Sequence, residues 1–344
     1  MARISVTRIL VVLVVVVMLG TAGVAAWFWN DYRNFVSQPL NLPESGTEYR
    51  VRAGTTLRQV AVELAGRGIL REPLYLRLLG RERGDADRIK AGDYALAHGM
   101  TPDDVMDLFV SGAVIEYSLT LVEGWTFRQA LEAVRQHERI VHTLDDDITD
   151  SELMAAIGAS GVHPEGRFFP DTYLFPGETT DVDFLRRAYE RMSDILAEEW
   201  AARSEDLPLE SADEALILAS IVEKETGLPE ERAEVAGVFV RRLHKGMLLQ
   251  TDPTVIYGMG ASFDGDIRRR DLKKDTPYNT YTRPGLTPTP ICLPGRDAIH
   301  AALHPADGDA LYFVATGDGG HKFSATLAEH NRAVRRYQLK RKEQ

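Results

Sequence analysis

The stretch ALILASIVEKETG, residues 215–227, decides the fold of the larger part of this chain. Its first eight residues are apolar on nearly every side, which predicts a helix buried inside a domain. Gly227 predicts a C-cap, and Pro229 lies just beyond it because proline cannot continue a helix. We therefore expect a buried helix whose charged run EKE, residues 223–225, lies at its exit from the core.

Glu223 is the candidate acid/base on this helix. At about 100° per residue it lies on the face of Leu216, Ala219 and Ser220, whereas Glu225 points nearly the opposite way. A carboxyl group at the rim of an apolar helix is partly desolvated, and desolvation raises its pKa toward the range in which a general acid works. A second interpretation remains open, in which Glu223 is a solvated residue on a fraying last turn.

Segments downstream of this helix combine aromatic rings with amide and hydroxyl groups. LQTDPTVIYG, residues 249–258, moves from a polar turn into an apolar segment, and YNTY, 278–281, precedes GLTP, 285–288. Rings that stack on sugar faces, beside side chains that bond hydroxyl groups, are what a saccharide groove needs. The alternative, that these tyrosines are packed residues of the domain, remains open.

The N-terminus predicts a membrane anchor. Residues 9–29 carry no charge, and about 20 apolar residues span a bilayer core. Arg3 and Arg8 precede this segment, which by the positive-inside rule predicts a cytoplasmic tail at 1–8 and places the rest of the chain outside the cytoplasm. A cleaved signal peptide is the alternative, although the apolar run is longer than is typical of one.

Two segments follow the predicted anchor. Residues 30–47 are polar and contain prolines, as in a tether. Residues 48–112 predict the order strand, helix, helix, strand, helix, with Thr101 as the cap of the third helix. This order resembles a LysM-like unit, the small α/β fold that often grips N-acetylglucosamine chains. A spacer without glycan affinity is the alternative.

The rest of the chain divides into a connecting segment, 113–160, and a larger domain, 161–340. The connecting segment begins with a strand predicted at 115–122 and continues into a region, 137–161, predicted to be acidic and helical. The mixture of predicted strands and helices indicates an α+β ectodomain on a single-pass anchor.

Composition limits the class of protein. The net charge is −11, and a phosphate-binding surface would need clustered Lys and Arg, so nucleic acid is not an expected partner. The single cysteine, Cys292, excludes an internal disulfide framework and a Cys-rich zinc site, and predicts a small buried residue.

Taken together, the motifs resemble the endolytic murein transglycosylase family, the YceG-like lytic transglycosylases. Together with the predicted anchor and the LysM-like unit they cover nearly the whole chain in the family's order. The motifs are EGRFFPDTY at 165–173, ASIVEKET at 219–226, LQTDPTVIYG at 249–258, YNTY at 278–281, HPA at 304–306, LYFVA at 311–315, GGHKF at 319–323 and HN at 330–331. Arg167 departs from the pattern, since an aromatic or apolar residue is expected there, and this puts one groove contact in doubt.

The resemblance implies a lyase that breaks the β-1,4 bond between N-acetylmuramic acid and N-acetylglucosamine without water and leaves a 1,6-anhydro end. It places the acid/base at Glu223 and implies no cofactor and no metal. The residues expected to line the groove or to support the acid/base are Glu165, Asp171, Ser220, Gln250, Thr251, Asp252, Tyr257, Tyr278, Asn279, Thr280 and Tyr281.

The implied setting is the cytoplasmic (inner) membrane, with the catalytic domain on its outer side. The implied partners are peptidoglycan glycan strands, the membrane itself and, as further candidates, peptidoglycan synthases. Termination of nascent glycan strand elongation is the implied role.

Two rival functions belong to other classes. A non-catalytic scaffold would bind glycan through the LysM-like unit and recruit cell-wall synthesis enzymes. A metal hydrolase would use His300 and His304, spaced i and i+4, with His321 and His330 downstream, but the glutamate of an H-E-x-x-H motif is missing between the first two.

Overall fold

A computed structural model of the chain describes residues 6–339, which form two compact units. The first runs to Tyr117 and includes Phe175–Glu178, and the second contains Ser118–Leu174 and the residues from Thr179 onward. Residues 1–5 of the predicted tail and residue 340 of the predicted larger domain lie outside the described residues. The prediction of an α+β chain with one apolar N-terminal helix is confirmed, and the sheets within the described range are two-stranded: β1–β2, β3–β4 and β5–β6.

The first unit is built on a short antiparallel sheet. Its elements are α1 (Val6–Ser37), β1 (Thr47–Val51), α2 (Leu57–Gly66), α3 (Pro73–Glu82), β2 (Gly92–Leu96) and α4 (Pro102–Ser111). The register places Tyr49 opposite Tyr94, and Phe109 of α4 packs edge-on against Tyr94 with ring centroids 4.9 Å apart. Thr56 and Thr101 begin α2 and α4 with capping boxes. The predicted order of strands and helices is confirmed.

Helix α1 combines an exposed apolar part with a buried end. Its side chains from Leu10 to Leu19 are exposed, and Leu10–Ser37 is long and apolar enough to cross a membrane. Near its C-terminus Tyr32 and Phe35 are buried and pack against Tyr75 of α3, with ring centroids 5.8 and 5.4 Å away. One helix therefore carries both the predicted membrane span and part of the core of the first unit.

The predicted tether, residues 30–47, differs from the structure. Its first part is helical through Ser37, because burying the rings of Tyr32 and Phe35 favours continuing the helix. Beyond the helix Leu40 and Leu42 are also buried, and the N–H of Leu40 donates to the carbonyl of Met100 at 2.7 Å. Most of this segment is therefore packed chain rather than a free linker.

The remaining elements belong mainly to the second unit. They are β3 (Glu116–Thr120), α5 (Phe127–Gln136), α6 (Asp150–Ala156), β4 (Thr172–Pro176), α7 (Asp181–Ala201), α8 (Ala212–Glu225), α9 (Pro229–His244), α10 (Asp252–Met259), α11 (Arg269–Lys273), α12 (Arg296–Leu303), β5 (Tyr312–Ala315), β6 (His321–Ser324) and α13 (Leu327–Val334). A 3₁₀ turn, Gly260–Ser262, follows α10, and a π-helical turn, Arg335–Leu339, follows α13.

Helix α8 is the centre of the second unit, as predicted. All eight residues of 215–222 are buried, and α7, α9, α10 and α12 pack around this helix. Burial of each large apolar side chain contributes about 1.5–3 kcal/mol, so this cluster fixes the position of the helix and of the residues at its end.

The end of α8 corrects one prediction. The helix ends at Glu225, and the cap is Thr226 in an extended conformation, with φ −141° and ψ 132°, rather than Gly227. The hydroxyl of Thr226 accepts the N–H of Leu228 at 3.1 Å, which stabilises the extended exit. Helix α9 then begins with Pro229. The predicted position of the cap, just after residues 223–225, is therefore correct to within one residue.

The region 137–161 is less helical than predicted. Only α6 lies within it, and the acidic residues at 145–147 precede that helix as loop and turn. Thr149 accepts the N–H of Glu152 and begins α6 with a capping box, so the helix starts there and not earlier.

Candidate active site

A cavity of about 400 Å³ lies in the second unit, where α8 ends. Small-molecule pockets usually measure about 300–1,000 Å³, so this cavity is of a size to bind a ligand. The loop before α10, the sheet β5–β6 and helix α13 also contribute to its wall. Its titratable and amide-bearing residues are Glu225, Arg242, Gln250, Asp252, Tyr281, Tyr312, His321, His330 and Gln338.

Glu225 is the last residue of the buried helix α8, and its side chain lines this cavity. One of its oxygens accepts a hydrogen bond from the hydroxyl of Thr251. Burial raises the pKa of Glu225 above its ordinary value, and the nearby Asp252 carboxylate adds to the rise. The Thr251 hydrogen bond and the positive charges of His321 and Arg242 oppose it. The net effect extends the protonated form of Glu225 to higher pH.

Asp252 and Tyr281 form a second polar group in the cavity. The Tyr281 hydroxyl donates to Asp252 Oδ1 at 2.5 Å, and burial raises the pKa of Tyr281. The two loops that carry them are joined by hydrogen bonds from the N–H of Gln250 to the carbonyl of Thr280 and from the N–H of Thr251 to the Thr280 hydroxyl, both 3.1 Å. The sequence segments 249–258 and 278–281 therefore meet, as a common groove requires.

Gln250 adopts a backbone conformation that is unusual for a residue with a side chain. Its φ is +51°, in the left-handed region. A non-glycine residue there costs about 1–2 kcal/mol, and such strain is concentrated at functional sites. The conformation lets the chain turn into α10 so that Gln250 and Asp252 both line the cavity.

His321 is held at the cavity wall by Glu231. Its ring Nδ1 lies 2.7 Å from Glu231 Oε2, and its backbone N–H donates to Glu231 Oε1 at 2.8 Å. A carboxylate beside Nδ1 holds the proton on that nitrogen and fixes the orientation of the ring. The edge of Phe313 packs against the ring with centroids 5.3 Å apart. His321 therefore presents a fixed imidazole to the cavity.

Arg242 supplies a buried positive charge on the same wall. Its Nε donates to the carbonyl of Leu311 at 2.6 Å and its Nη1 to the carbonyl of Leu249 at 2.7 Å. The guanidinium also lies 5.1 Å from the centre of the Tyr312 ring. These contacts anchor β5 and the loop before α10 to helix α9, and the charge lowers the pKa of Glu225.

Glu223 lies in different surroundings. Its side chain is only 7% exposed, its Oε2 accepts the N–H of Gly295 at 3.0 Å, and its Oε1 lies 3.9 Å from Arg232 Nη2. Burial raises the pKa of Glu223, and the nearby Glu123 and Asp297 carboxylates add to this rise. The prediction of a partly desolvated carboxyl with a raised pKa is confirmed.

The predicted association of Glu223 with the groove candidates is not what the structure shows. Gln250, Asp252 and Tyr281 line the cavity with Glu225, and the lining of that cavity does not include Glu223. Two residues along a helix correspond to a rotation of about 200°, so these two carboxyl groups leave α8 on opposite sides. The periodicity of the helix predicted this opposition, but the groove was expected on the side of Glu223.

Glu165 is a third buried carboxyl group. Its Oε1 accepts the N–H of Phe127 at 2.8 Å, at the start of α5, and its Oε2 accepts the Tyr257 hydroxyl at 3.0 Å. Burial raises the pKa of Glu165 to about 7, against the effect of these hydrogen bonds. Tyr257 in turn packs edge-on against Tyr278, whose hydroxyl lies 2.9 Å from the Thr289 hydroxyl.

Other predicted groove residues make hydrogen bonds within the protein, and their role in binding stays a prediction. Ser220 is buried and accepts the N–H of Ile291 at 3.0 Å, and Thr280 is buried between the loops described above. Asn279 donates to backbone carbonyls, at 2.8 Å in the case of Lys274. Buried polar groups need such partners, which the sequence pattern alone cannot distinguish from ligand contacts. Asp171 is exposed just before β4, where its Oδ1 accepts the N–H of Thr172 at 2.7 Å.

Several cavity residues were missed by the sequence analysis. Arg242 gives no signal, because it lies on an ordinary amphipathic helix. His321 and His330 lie in the recognised motifs GGHKF and HN, but they were considered only as ligands of a metal hydrolase and not as groove residues. His300 and His304 do not line the cavity; they lie beside Glu199.

Comparison with known proteins identifies related sequences. A family model described as the YceG-like family matches residues 49–336. An endolytic murein transglycosylase of Bacillus subtilis (strain 168) is 31% identical over 303 residues, which is 83% of this chain and 83% of that protein. An endolytic murein transglycosylase of Streptococcus pneumoniae serotype 2 (strain D39) is 28% identical over 314 residues, which is 82% of this chain but 56% of the pneumococcal protein. This chain therefore spans about half the length of the pneumococcal relative.

A solved structure has a similar fold. The crystal structure of a YceG-like protein from Listeria monocytogenes aligns with a TM-score of 0.53 and 28% sequence identity. The alignment covers 84% of this chain and 99% of the Listeria chain.

Proposed function

This chain belongs to the YceG-like family, and on that basis we propose that it cleaves peptidoglycan glycan strands as an endolytic lytic transglycosylase, a lyase. The names of the Bacillus and Streptococcus relatives support the activity. The cavity supports a saccharide substrate, because tyrosine rings, an amide, carboxyl groups and an imidazole line it together.

The proposed reaction breaks the β-1,4 bond between N-acetylmuramic acid and N-acetylglucosamine without water. The C6 hydroxyl oxygen of the muramic residue attacks its own C1, the bond from C1 to the leaving O4 breaks, and a 1,6-anhydro end forms. O4 takes up one proton and the C6 hydroxyl loses one. A single carboxyl group can donate the first proton and then accept the second, so the paired carboxylates of ordinary glycosidases are not required.

Glu225 is the carboxyl group that the geometry favours for both proton transfers. The observation that carries this assignment is its position in the wall of the 400 Å³ cavity, beside Gln250, Asp252 and Tyr281. Its raised pKa keeps a proton available for O4 at higher pH than an exposed glutamate would. Thr251, which donates to the carboxyl, fixes its orientation. The earlier assignment of this role to Glu223 stays a prediction, and its surroundings favour a structural role instead.

That structural role follows from the contacts of Glu223. It joins the end of α8 to the N-terminus of α12 through the N–H of Gly295, and it contributes to the charge around Arg232, which also lies 3.1 Å from Asp297. A buried carboxyl with these partners stabilises the junction of two helices.

We assign the other cavity residues to substrate binding. Tyr281 offers a ring face to a sugar, and Gln250 and Asp252 offer hydrogen-bonding groups to hydroxyl or acetamido groups. The buried Arg242 places positive charge near the anionic part of the substrate, and His321, oriented by Glu231, offers a ring nitrogen for hydrogen bonding. Glu165 and Tyr257, by contrast, form a buried pair that supports the start of α5.

The first unit and helix α1 complete the proposal. We propose that α1 anchors the chain in the cytoplasmic membrane with the second unit outside the cytoplasm, where peptidoglycan lies; its exposed apolar surface supports this. The β-α-α-β order of the first unit supports a LysM-like, glycan-binding role. An enzyme held there is placed to end nascent strands beside peptidoglycan synthases.

The products of digestion test this function. Purified peptidoglycan is treated with the full chain in detergent, and the released fragments are analysed by mass spectrometry. The proposal predicts 1,6-anhydro ends. Reducing ends would indicate a hydrolase. No released fragments, together with binding of the glycan, would indicate the non-catalytic scaffold.

A further inference from the structure

A cluster of metal-ligating side chains lies on the second unit, outside the cavity. Glu199, near the C-terminus of α7, faces His300 of α12 and His304, the residue that ends α12. One ligand atom from each of the three residues lies within 4.8 Å of the others. The two imidazoles are one helical turn apart, with ring centroids separated by 4.3 Å.

The hydrogen bonds of these residues leave one nitrogen without a partner. His300 Nδ1 lies 2.8 Å from Glu199 Oε2, while the other carboxylate oxygen accepts Arg296 Nε at 2.8 Å. His304 Nδ1 lies 3.2 Å from the Ser204 hydroxyl. Its Nε2 is buried and has no hydrogen-bond partner among the described residues. A buried nitrogen of this kind is destabilising unless a ligand satisfies it.

We propose that Glu199, His300 and His304 bind a zinc ion. Two imidazole nitrogens and one carboxylate oxygen are a donor set that suits zinc, with water at a fourth position. Glu199 contributes Oε2, His300 contributes Nδ1 and His304 contributes the buried Nε2. On binding, His300 presents the lone pair of Nδ1 to zinc, so its ring proton moves to Nε2 by exchange with solvent.

The surroundings are those of a supported metal site. Arg296 holds the second oxygen of Glu199, and Ser204 holds the second nitrogen of His304, so both ligands are oriented by neighbours. The side chain of His300 is 58% exposed, which gives the ion a path from solvent.

The expected effect of zinc is structural. The ion would join α7 to α12, and α12 packs against α8, the helix that carries Glu225. The site does not share a residue with the cavity, so it is independent of the proposed reaction. Zinc binding should therefore stabilise the second unit without being required for cleavage.

Zinc titration of the tag-free, metal-stripped full chain in detergent tests the site. Calorimetry should show one equivalent of Zn²⁺ bound, and zinc should raise the melting temperature. His300→Ala should weaken the affinity at least about 10-fold and abolish the thermal shift, since removal of an exposed ligand leaves the fold intact. His142→Ala, at an exposed histidine elsewhere, is the matched control and should bind as the wild type does.

A spectroscopic measurement separates ligation from a general structural effect. Co²⁺ in place of Zn²⁺ should give the visible absorption of a low-coordinate cobalt site in the wild type and in His142→Ala, but not in His300→Ala. The proposal is overturned if the wild type binds no zinc, or if His300→Ala binds it with unchanged affinity. If the protein cleaves peptidoglycan but binds no zinc, the zinc proposal is wrong and the proposed enzymatic function is unaffected.

Discussion

Glu223 and Glu225 leave the same end of α8 on opposite sides and meet different partners. Glu223 accepts the N–H of Gly295 at 3.0 Å, whereas Glu225 accepts the hydroxyl of Thr251 and lines the cavity. Burial raises the pKa of both carboxyl groups, so a raised pKa does not distinguish them. The cavity distinguishes them, because only Glu225 lines it. Each residue can therefore serve as the control for a substitution of the other.

The pH dependence of cleavage should respond to Asp252. Because Glu225 must begin the reaction protonated, activity should fall as the pH rises through its pKa. The Asp252 charge raises that pKa, so Asp252→Asn should lower it and move the descending limb of the kcat profile to lower pH. Asparagine retains an oxygen for the Tyr281 hydroxyl, so the loop should stay in place. Asp147→Asn, at an exposed site, is the control; an unmoved limb in Asp252→Asn would argue against Glu225 as the acid.

Stability should depend on pH through Glu165. The folded state raises the pKa of this carboxyl from 4.5 to about 7, so the folded protein binds the proton more tightly than the unfolded chain does. The stability that protonated Glu165 contributes to the folded state is fully present below pH 4.5 and is lost as the pH rises through about 7. The free energy of unfolding falls by about 3 kcal/mol in all, at about 1.4 kcal/mol for each pH unit between the two pKa values.

Glu165→Gln tests this dependence, because glutamine resembles the protonated acid at every pH. Relative to the wild type, the variant should gain about 2.5 kcal/mol in free energy of unfolding between pH 5 and pH 8, measured by denaturant titration. The exposed Glu138→Gln should show no such gain. Equal pH profiles for Glu165→Gln and the wild type would mean that Glu165 does not titrate near neutrality.

Gly166 should resist substitution more than a nearby glycine does. Both Gly166 and Gly161 have a positive φ, +78° and +81°, but a Cβ at Gly166 would lie 2.5 Å from Pro290 Cβ, while one at Gly161 meets nothing within 4 Å. Gly161→Ala should cost about 1–2 kcal/mol through the backbone alone. Gly166→Ala should cost about 1–3 kcal/mol more, because the rigid proline ring must move. Equal free energies of unfolding for the two variants would contradict the close contact.

The N-terminal helix should serve two purposes that truncation can separate. A chain that begins at residue 27 loses most of the exposed apolar surface but keeps Tyr32 and Phe35, so it should be released from membranes and remain folded. A chain that begins at residue 38 also loses these rings and should lose about 3 kcal/mol or more of stability in the first unit. Thermal unfolding and membrane flotation of both chains measure the difference. Equal melting temperatures would show that the packing against Tyr75 contributes little.

The sequence predicted the framework well where the pattern was strong. The apolar run at 215–222 predicted a buried helix, and the threonine cap at Thr101 marked the start of a helix in the first unit. The polar composition of residues 30–47 predicted a free tether. The prediction was wrong because Tyr32 and Phe35 are buried in the core of the first unit. Local composition does not report such tertiary contacts.

The site was predicted in part. The segments 249–258 and 278–281 were expected to meet, and Gln250, Asp252 and Tyr281 do line one cavity. The side of α8 that this cavity occupies depends on where β5, β6 and α13 pack, which the periodicity of α8 cannot show. Glu225 and Arg242 were therefore not among the predicted groove residues, and the assignment of the acid/base to Glu223, whose carboxyl accepts the N–H of Gly295, stays a prediction.

The most direct test compares Glu225→Gln with Glu223→Gln on purified peptidoglycan, with circular dichroism to confirm that both variants fold. The rate of release of 1,6-anhydro ends should fall by about 10²- to 10⁴-fold in Glu225→Gln and stay close to the wild-type rate in Glu223→Gln. Loss of release in Glu223→Gln, with Glu225→Gln active, would contradict the assignment.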